Sequence, residues 1–141
     1  MGFVIIMSKK GENMKNCKLI ITTTIDNQST EIVRKTQASL SPFLTKIVYS
    51  EENAQVNITL ENGVLHIERT GDYTQSLHFK DGEILEGRLG ICGADGVIHT
   101  HTRKLSFSVT DTSLLLSLHY VLLVGDEPQD VKIRMFLKAT D

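Results

Sequence analysis

The chain has 141 residues, 40% of them hydrophobic and 23% charged, a balance that excludes a disordered chain and fits one domain with a sizeable core. Its formal charge of −2 argues against a dedicated nucleic-acid binder, because neutralising phosphates takes a basic face. Trp is absent and Pro numbers only 2, so few residues interrupt a strand pattern.

From the N-terminus, Met1 to Met7 is an apolar run followed by Lys9 and Lys10. It is too short to span a membrane, and its charges lie on the wrong side for a secretory signal. Met7 and Met14 are alternative starts, so residues 1–14 are expected to be a flexible extension and 15–141 a single β-barrel domain. Cys17 and Cys92 form no C-x-x-C pair, and with no export signal they are expected to be reduced thiols of a cytoplasmic protein.

Cys17 to Ile25 is β-branched and Thr-rich, a strand by composition, and Asp26 to Gln28 are turn residues. Glu31 to Leu40 reads as a weaker strand, stopped by Ser41-Pro42. Thr45 to Ser50 resumes, and Glu51 to Asn53 turn the chain. Gln55 to Leu60 and Val64 to Thr70 flank Asn62-Gly63, the preferred dipeptide of a type I′ turn. A two-residue turn pairs Leu60 with Leu65, Ile58 with Ile67 and Val56 with Arg69. Thr59 then faces His66 on the other side, and Asn57 faces Glu68. Gly71-Asp72 leads into Gln75 to Phe79, and Asp81-Gly82 turns again.

Around Asp95-Gly96 two registers compete. A two-residue turn sets Cys92 opposite His99 but stacks Arg88 on Arg103, which opposes folding. A three-residue loop with left-handed Gly96 and a bulge pairs Leu85 with Leu105, Gly87 with Arg103, Leu89 with His101 and Glu86 with Lys104. It separates apolar from polar residues and is preferred. The odd-numbered residues from His99 to Val109 would then face inward. Leu116, Leu118, Tyr120, Leu122 and Val124 answer them across a turn at Asp111 to Ser113, and this hairpin is expected to be the best-buried part of the fold. Gly125 to Pro128 reads as an exposed loop. Val131, Ile133, Met135 and Leu137 form the inner row of a last strand, with Lys132, Arg134 and Lys138 outside. No amphipathic helix of ordinary length is present, and strands recur with turns between them. The predicted class is all-β, an antiparallel up-and-down meander closed into a barrel.

Thr45 to Ser50, Ile67-Glu68-Arg69-Thr70-Gly71, Leu77-His78-Phe79, Thr102-Arg103-Lys104-Leu105 and Leu116-Ser117-Leu118-His119-Tyr120 occur in an order and spacing that resembles the YwiB-like bacterial proteins. The resemblance spans roughly Lys18 to Lys138. That family has no characterised function and is assigned to the calycin, or lipocalin-like, barrels. The resemblance implies a calycin-like barrel of about eight to ten strands but supplies no ligand and no catalytic residue. The chain departs from it at Ile91-Cys92-Gly93-Ala94, where Thr-Pro-aromatic-Gly is expected, and lacks the lipocalin Gly-x-Trp signature.

Small closed barrels often hold one ligand. The expected function is therefore binding of a small amphipathic or anionic molecule in the interior. Arg69, Arg103, His101 and Tyr120 would hold its anionic group, and Phe79, Phe107, Leu118 and Met135 its apolar part, since a bidentate guanidinium suits a carboxylate or phosphate. The alternative is a filled barrel acting as a structural or protein-interaction module. His99-x-His101 could begin a metal site, but no third ligand accompanies it, so no metal and no cofactor are expected. No Gly-x-Ser-x-Gly elbow appears, and Gly90 to Gly96 is no phosphate loop, so catalysis has little support. Neither a nucleic-acid nor a membrane partner is expected, and the oligomeric state stays open.

Overall fold

The computed structural model describes residues 14–140. Ten strands follow one another: β1 (Lys15–Ile25), β2 (Gln28–Ser39), β3 (Leu44–Glu51), β4 (Ala54–Glu61), β5 (Val64–Gly71), β6 (Tyr73–Lys80), β7 (Ile84–Ile91), β8 (Ala94–Val109), β9 (Ser113–Val124) and β10 (Glu127–Ala139). Each pairs antiparallel with the next, and β10 returns to β1, closing the barrel. Closure leaves few backbone groups at open edges, which is how a sheet with no covering helix satisfies them. The expected flexible extension, residues 1–14, lies outside the described residues except for Met14.

Tight turns set the meander. Asp26-Asn27, Asn62-Gly63 and Cys92-Gly93 each place two successive residues at positive φ, the type I′ geometry that matches strand twist. At Asn62-Gly63 the pairing is the one expected: Leu60 with Leu65, Ile58 with Ile67, Val56 with Arg69, Thr59 with His66 and Asn57 with Glu68. The last hairpin is tighter than expected. Gly125 and Asp126 alone turn the chain, and Glu127 and Pro128 already belong to β10.

The β7–β8 hairpin corrects the sequence reading. Its turn is Cys92-Gly93, not Asp95-Gly96, so Ile91 pairs with Ala94, Leu89 with Gly96 and Gly87 with Ile98. Arg88 then pairs with Val97 and reaches Asp95 at 2.8 Å. Gly87 permits a close crossing, since a Cβ there would lie 2.3 Å from the Ser76 carbonyl oxygen. A second correction concerns the phase of β8. Ile98, Thr100 and Thr102 are buried, whereas Arg103 is exposed and His99 and His101 are half-buried. Thr102 pairs with Tyr120 and Lys104 with His119, leaving Arg103 as the extra residue of a β-bulge. The bulge switches the inward phase from even to odd, so Leu105 is again in the core.

The interior is filled by Leu19, Ile47, Leu65, Phe79, Leu114 and Leu137, all fully buried, along with Leu116, Leu118, Tyr120 and Met135. The expectation of a well-buried hairpin thus holds for β9 and for β8 only in part. Strand lengths divide the barrel in two. β8, β9, β10, β1 and β2 run 11 to 16 residues, and β3 to β7 run 8 each. The seams between the halves are short. β2 pairs with β3 only from Gln37 to Ser39. Lower β6 leaves β7 for β8, where Thr100 Oγ1 donates to the His78 carbonyl and Thr102 N to that of Glu83.

Candidate functional site

The eight residues expected to form an interior site do not converge. Phe79, Leu118, Tyr120 and Met135 lie inside, with the Phe79 and Tyr120 rings 4.7 Å apart. Burial pushes the Tyr120 hydroxyl up to about 12, so it stays neutral at any ordinary pH. Phe107 sits at the lower end of β8, where it is 39% exposed. His101 pairs with Ile84 and Val121 in the outward phase, and Arg103 is carried outside by the bulge. A constant alternation through β8 places both inside. The one-residue insertion defeats that reading.

Arg69 does face inward, but at the barrel mouth, where it is already partnered. Its Nη1 lies 2.8 Å from Asp72 Oδ1 and donates to the Tyr73 carbonyl at 3.1 Å, and its Nε is 3.8 Å from Glu51. Its guanidinium carbon stands 3.8 Å over the Tyr73 ring. Arg34 approaches Glu51 from β2 at 3.7 Å. The Arg69 hydrogen bond holds the Asp72 carboxyl below the usual range and raises the guanidinium in return. Below this cluster burial, aided by Glu51, pushes the Tyr49 hydroxyl up to about 12. Two guanidiniums and two carboxylates balance, which leaves no surplus charge at the mouth for an anion.

Among the described residues one buried side-chain polar group finds no partner: the Thr102 hydroxyl, fully buried. Among the described residues no three His, Cys, Asp or Glu side chains are grouped to hold a metal. His66 and His78, opposite each other on β5 and β6, do touch, Nδ1 to Nδ1 at 2.7 Å. One ring nitrogen must donate and the other accept. His78 Nε2 reaches Ser76 Oγ at 3.1 Å, and Ser76 reaches Glu68 at 3.4 Å. Burial, then the neighbouring His66, lowers the His78 imidazole.

The chain's most distinctive surface is the outer wall of the five long strands. Ladder pairing sets Val33, Ile20, Phe136 and Leu115 side by side across β2, β1, β10 and β9. Val33 is 47%, Phe136 40% and Leu115 57% exposed. The row below is Lys35, Lys18 and Lys138, directly opposite one another. The rows above carry Arg134, then Lys132 and Lys104, with Arg103 at the bulge. These seven cations are all exposed, and among the described residues none makes an ion pair. Glu31 and Asp130 share this wall, and Asp130 is held by His119 at 2.8 Å; Asp26, Asp111, Asp126 and Glu127 lie at the strand ends. Glu52, Glu61, Glu68, Asp81, Glu83 and Glu86 lie on the short-strand half. A concavity of about 560 Å³ follows the apolar row between Ile20, Phe136, Leu115 and Ser108. A second, of about 630 Å³, lies beside Val33, Lys18 and Lys35.

The sequence carried a signal for this row that alternation alone misses. Leu19-Ile20-Ile21, Leu114-Leu115-Leu116 and Met135-Phe136-Leu137 are apolar triplets. In a strand with one buried face the middle residue of such a triplet must point outward.

Residues 16–135 match the family model described as Domain of unknown function (DUF1934). The chain belongs to that family. The crystal structure of the YwiB protein from Bacillus subtilis is similar over 92% of this chain and 94% of its own, with a TM-score of 0.80 and 11% identity. At that identity the likeness concerns the fold. No curated protein matches the chain. Among the described residues no helix is long and apolar enough to cross a membrane.

Proposed function

We propose that this member of the DUF1934 family is a protein-interaction module whose working face is the outer wall of β8, β9, β10, β1 and β2. The observation that carries this reading is the contrast between the two faces of those strands. The inner face is packed with Leu19, Leu116, Leu118, Met135 and Leu137, while the outer face leaves an apolar row exposed among unpaired cations. A filled core with an exposed apolar patch is the signature of a partner surface. A photoreactive residue at position 136, in protein expressed in its own cells, is expected to cross-link one identifiable partner. The same residue at Gln55, on the opposite wall, is expected to capture none. Equal capture from both positions, or none from 136, refutes the reading.

A second reading keeps a small amphipathic ligand inside, against Phe79, Leu118, Tyr120 and Met135. The buried Thr102 hydroxyl, without a partner among the described residues, supports it. It requires that native mass spectrometry of the protein purified from its own cells find a stoichiometric small molecule, and that Thr102→Val release it.

A further inference from the structure

Resting on the outer-wall reading, we infer that the partner element is an acidic amphipathic helix lying across the strands, along Val33, Ile20, Phe136 and Leu115. Neighbouring strands lie about 4.8 Å apart, so four side chains in register make an apolar spine of about 14 Å. A helix covers that length in about ten residues, three turns, with its apolar stripe at i, i+3, i+4 and i+7. The flanking rows stand two residues away along each strand, about 7 Å to either side. Lys18 and Lys138 border one side of the spine and Arg134 the other. The lysine row and Arg134, which shares its row with Thr22, Ser117 and Glu31, are therefore roughly 14 Å apart, wide enough to bracket a helix about 10–12 Å across whose acidic residues flank its apolar stripe on the lysine side and at Arg134.

Charge and shape exclude the nearest competitors. A second copy docked on this face would bring two unpaired cationic surfaces together. A single nucleic-acid strand stacks on successive aromatic rings, but Phe136 is the only aromatic residue in the row. The lysine ladder itself needs an anion. Lys18 has Lys35 on one side and Lys138 on the other, an arrangement that opposes folding while the face is free.

The test uses the full chain and a labelled peptide of roughly 18 residues, long enough to be helical, built from Glu, Leu and Ala with the leucines on one face. A second peptide has the same composition, permuted so the leucines no longer share a face. The first is expected to bind and to shift the amide resonances of β1, β9 and β10, and the permuted peptide to bind at least tenfold more weakly. Phe136→Ser is expected to weaken binding by roughly tenfold or more. Lys18→Glu is expected to weaken binding while raising the urea midpoint of the free protein, a divergence that a purely structural lysine does not produce. Equal binding of the two peptides overturns the helix geometry. Oligothymidylate or phosphatidylserine vesicles shifting these amides where the first peptide does not would overturn the partner class and leave the wall as the working face. If no probe shifts them and position 136 cross-links nothing, both readings fall.

Discussion

Thr102→Val decides whether the barrel interior holds anything besides its own side chains. Thr102 is fully buried opposite Tyr120, and its hydroxyl has no hydrogen-bond partner among the described residues. Valine has nearly the same shape and the same preference for strands, so packing is preserved. Removing an unsatisfied buried hydroxyl returns a desolvation penalty of about 1–3 kcal/mol. A gain of about 1–2 kcal/mol is expected, which for a domain of this size raises Tm by roughly 3–8 °C. Urea unfolding followed by circular dichroism checks it: the midpoint should rise with the slope unchanged. Thr100→Val is the matched control. Its hydroxyl is equally buried but donates to the His78 carbonyl, so the same change should destabilise by about 1 kcal/mol. The two substitutions must have opposite signs. If Thr102→Val destabilises as much as Thr100→Val, the hydroxyl is engaged by something inside, and the filled-core account is wrong.

Three further outcomes follow from the geometry. Gly87→Ala should destabilise by about 3 kcal/mol, the upper end for overpacking, because the new Cβ would stand 2.3 Å from the Ser76 carbonyl oxygen; denaturant unfolding measures it. The His78 imidazole titrates below the 6.5 of an unfolded chain. As pH falls through that window the unfolded chain takes up a proton that the folded chain resists. Stability should therefore be level from pH ~7.5 up to the range where tyrosines ionise and decline below 6.5, and His78→Gln should flatten the decline. Tyr49 and Tyr120 hold their protons up to about 12, against 10.0 when unfolded. Above pH 10.0 the unfolded chain loses protons that the folded chain keeps, so stability falls from there towards 12. Phenolate absorbance of the folded protein should correspondingly lack these two residues until near that limit.

Most of the architecture was legible because its signals are local. Asn62-Gly63 between alternating strands specifies a turn, and the turn specifies a register, as the Leu60–Leu65 and Ile58–Ile67 pairs show. The failure at β7–β8 has the same origin. Cys92 takes a positive φ of 52°, which a sequence reading assigns to the Asp-Gly dipeptide three residues later. The choice of Cys92-Gly93 is tertiary. It allows Gly87 to cross under Ser76 and Arg88 to meet Asp95. The bulge at Arg103 was illegible for a related reason. Nothing local marks it, whereas the long-range ties from Gly82 and Glu83 to Thr102 and from Asp81 to Leu105 hold the strand on both sides of it. The site reading inherited that error, since His101 and Arg103 depend on the phase of β8. Phe79, Leu118 and Met135 belong to strands whose phase was read correctly.

The outer wall follows from the core and is not independent of it. Each apolar triplet gives two residues to the interior and one to solvent. Leu19 and Ile21 face inward on β1 and Met135 and Leu137 on β10, and their pairing aligns Ile20 with Phe136. Leu114 and Leu116 fix Leu115 in the same way. A two-residue slip of any of these strands keeps its inward alternation but breaks the exposed row, so the row reports the register that the core selects. The near-neutral total charge, which on its own speaks against an anionic partner, therefore says little about this face. Charge acts locally, over about 8–10 Å at ordinary ionic strength. Within that distance of Phe136 and Ile20 lie Lys18, Lys138 and Arg134 against the single carboxylate of Glu31, while the acidic residues on the short-strand half stand across the barrel.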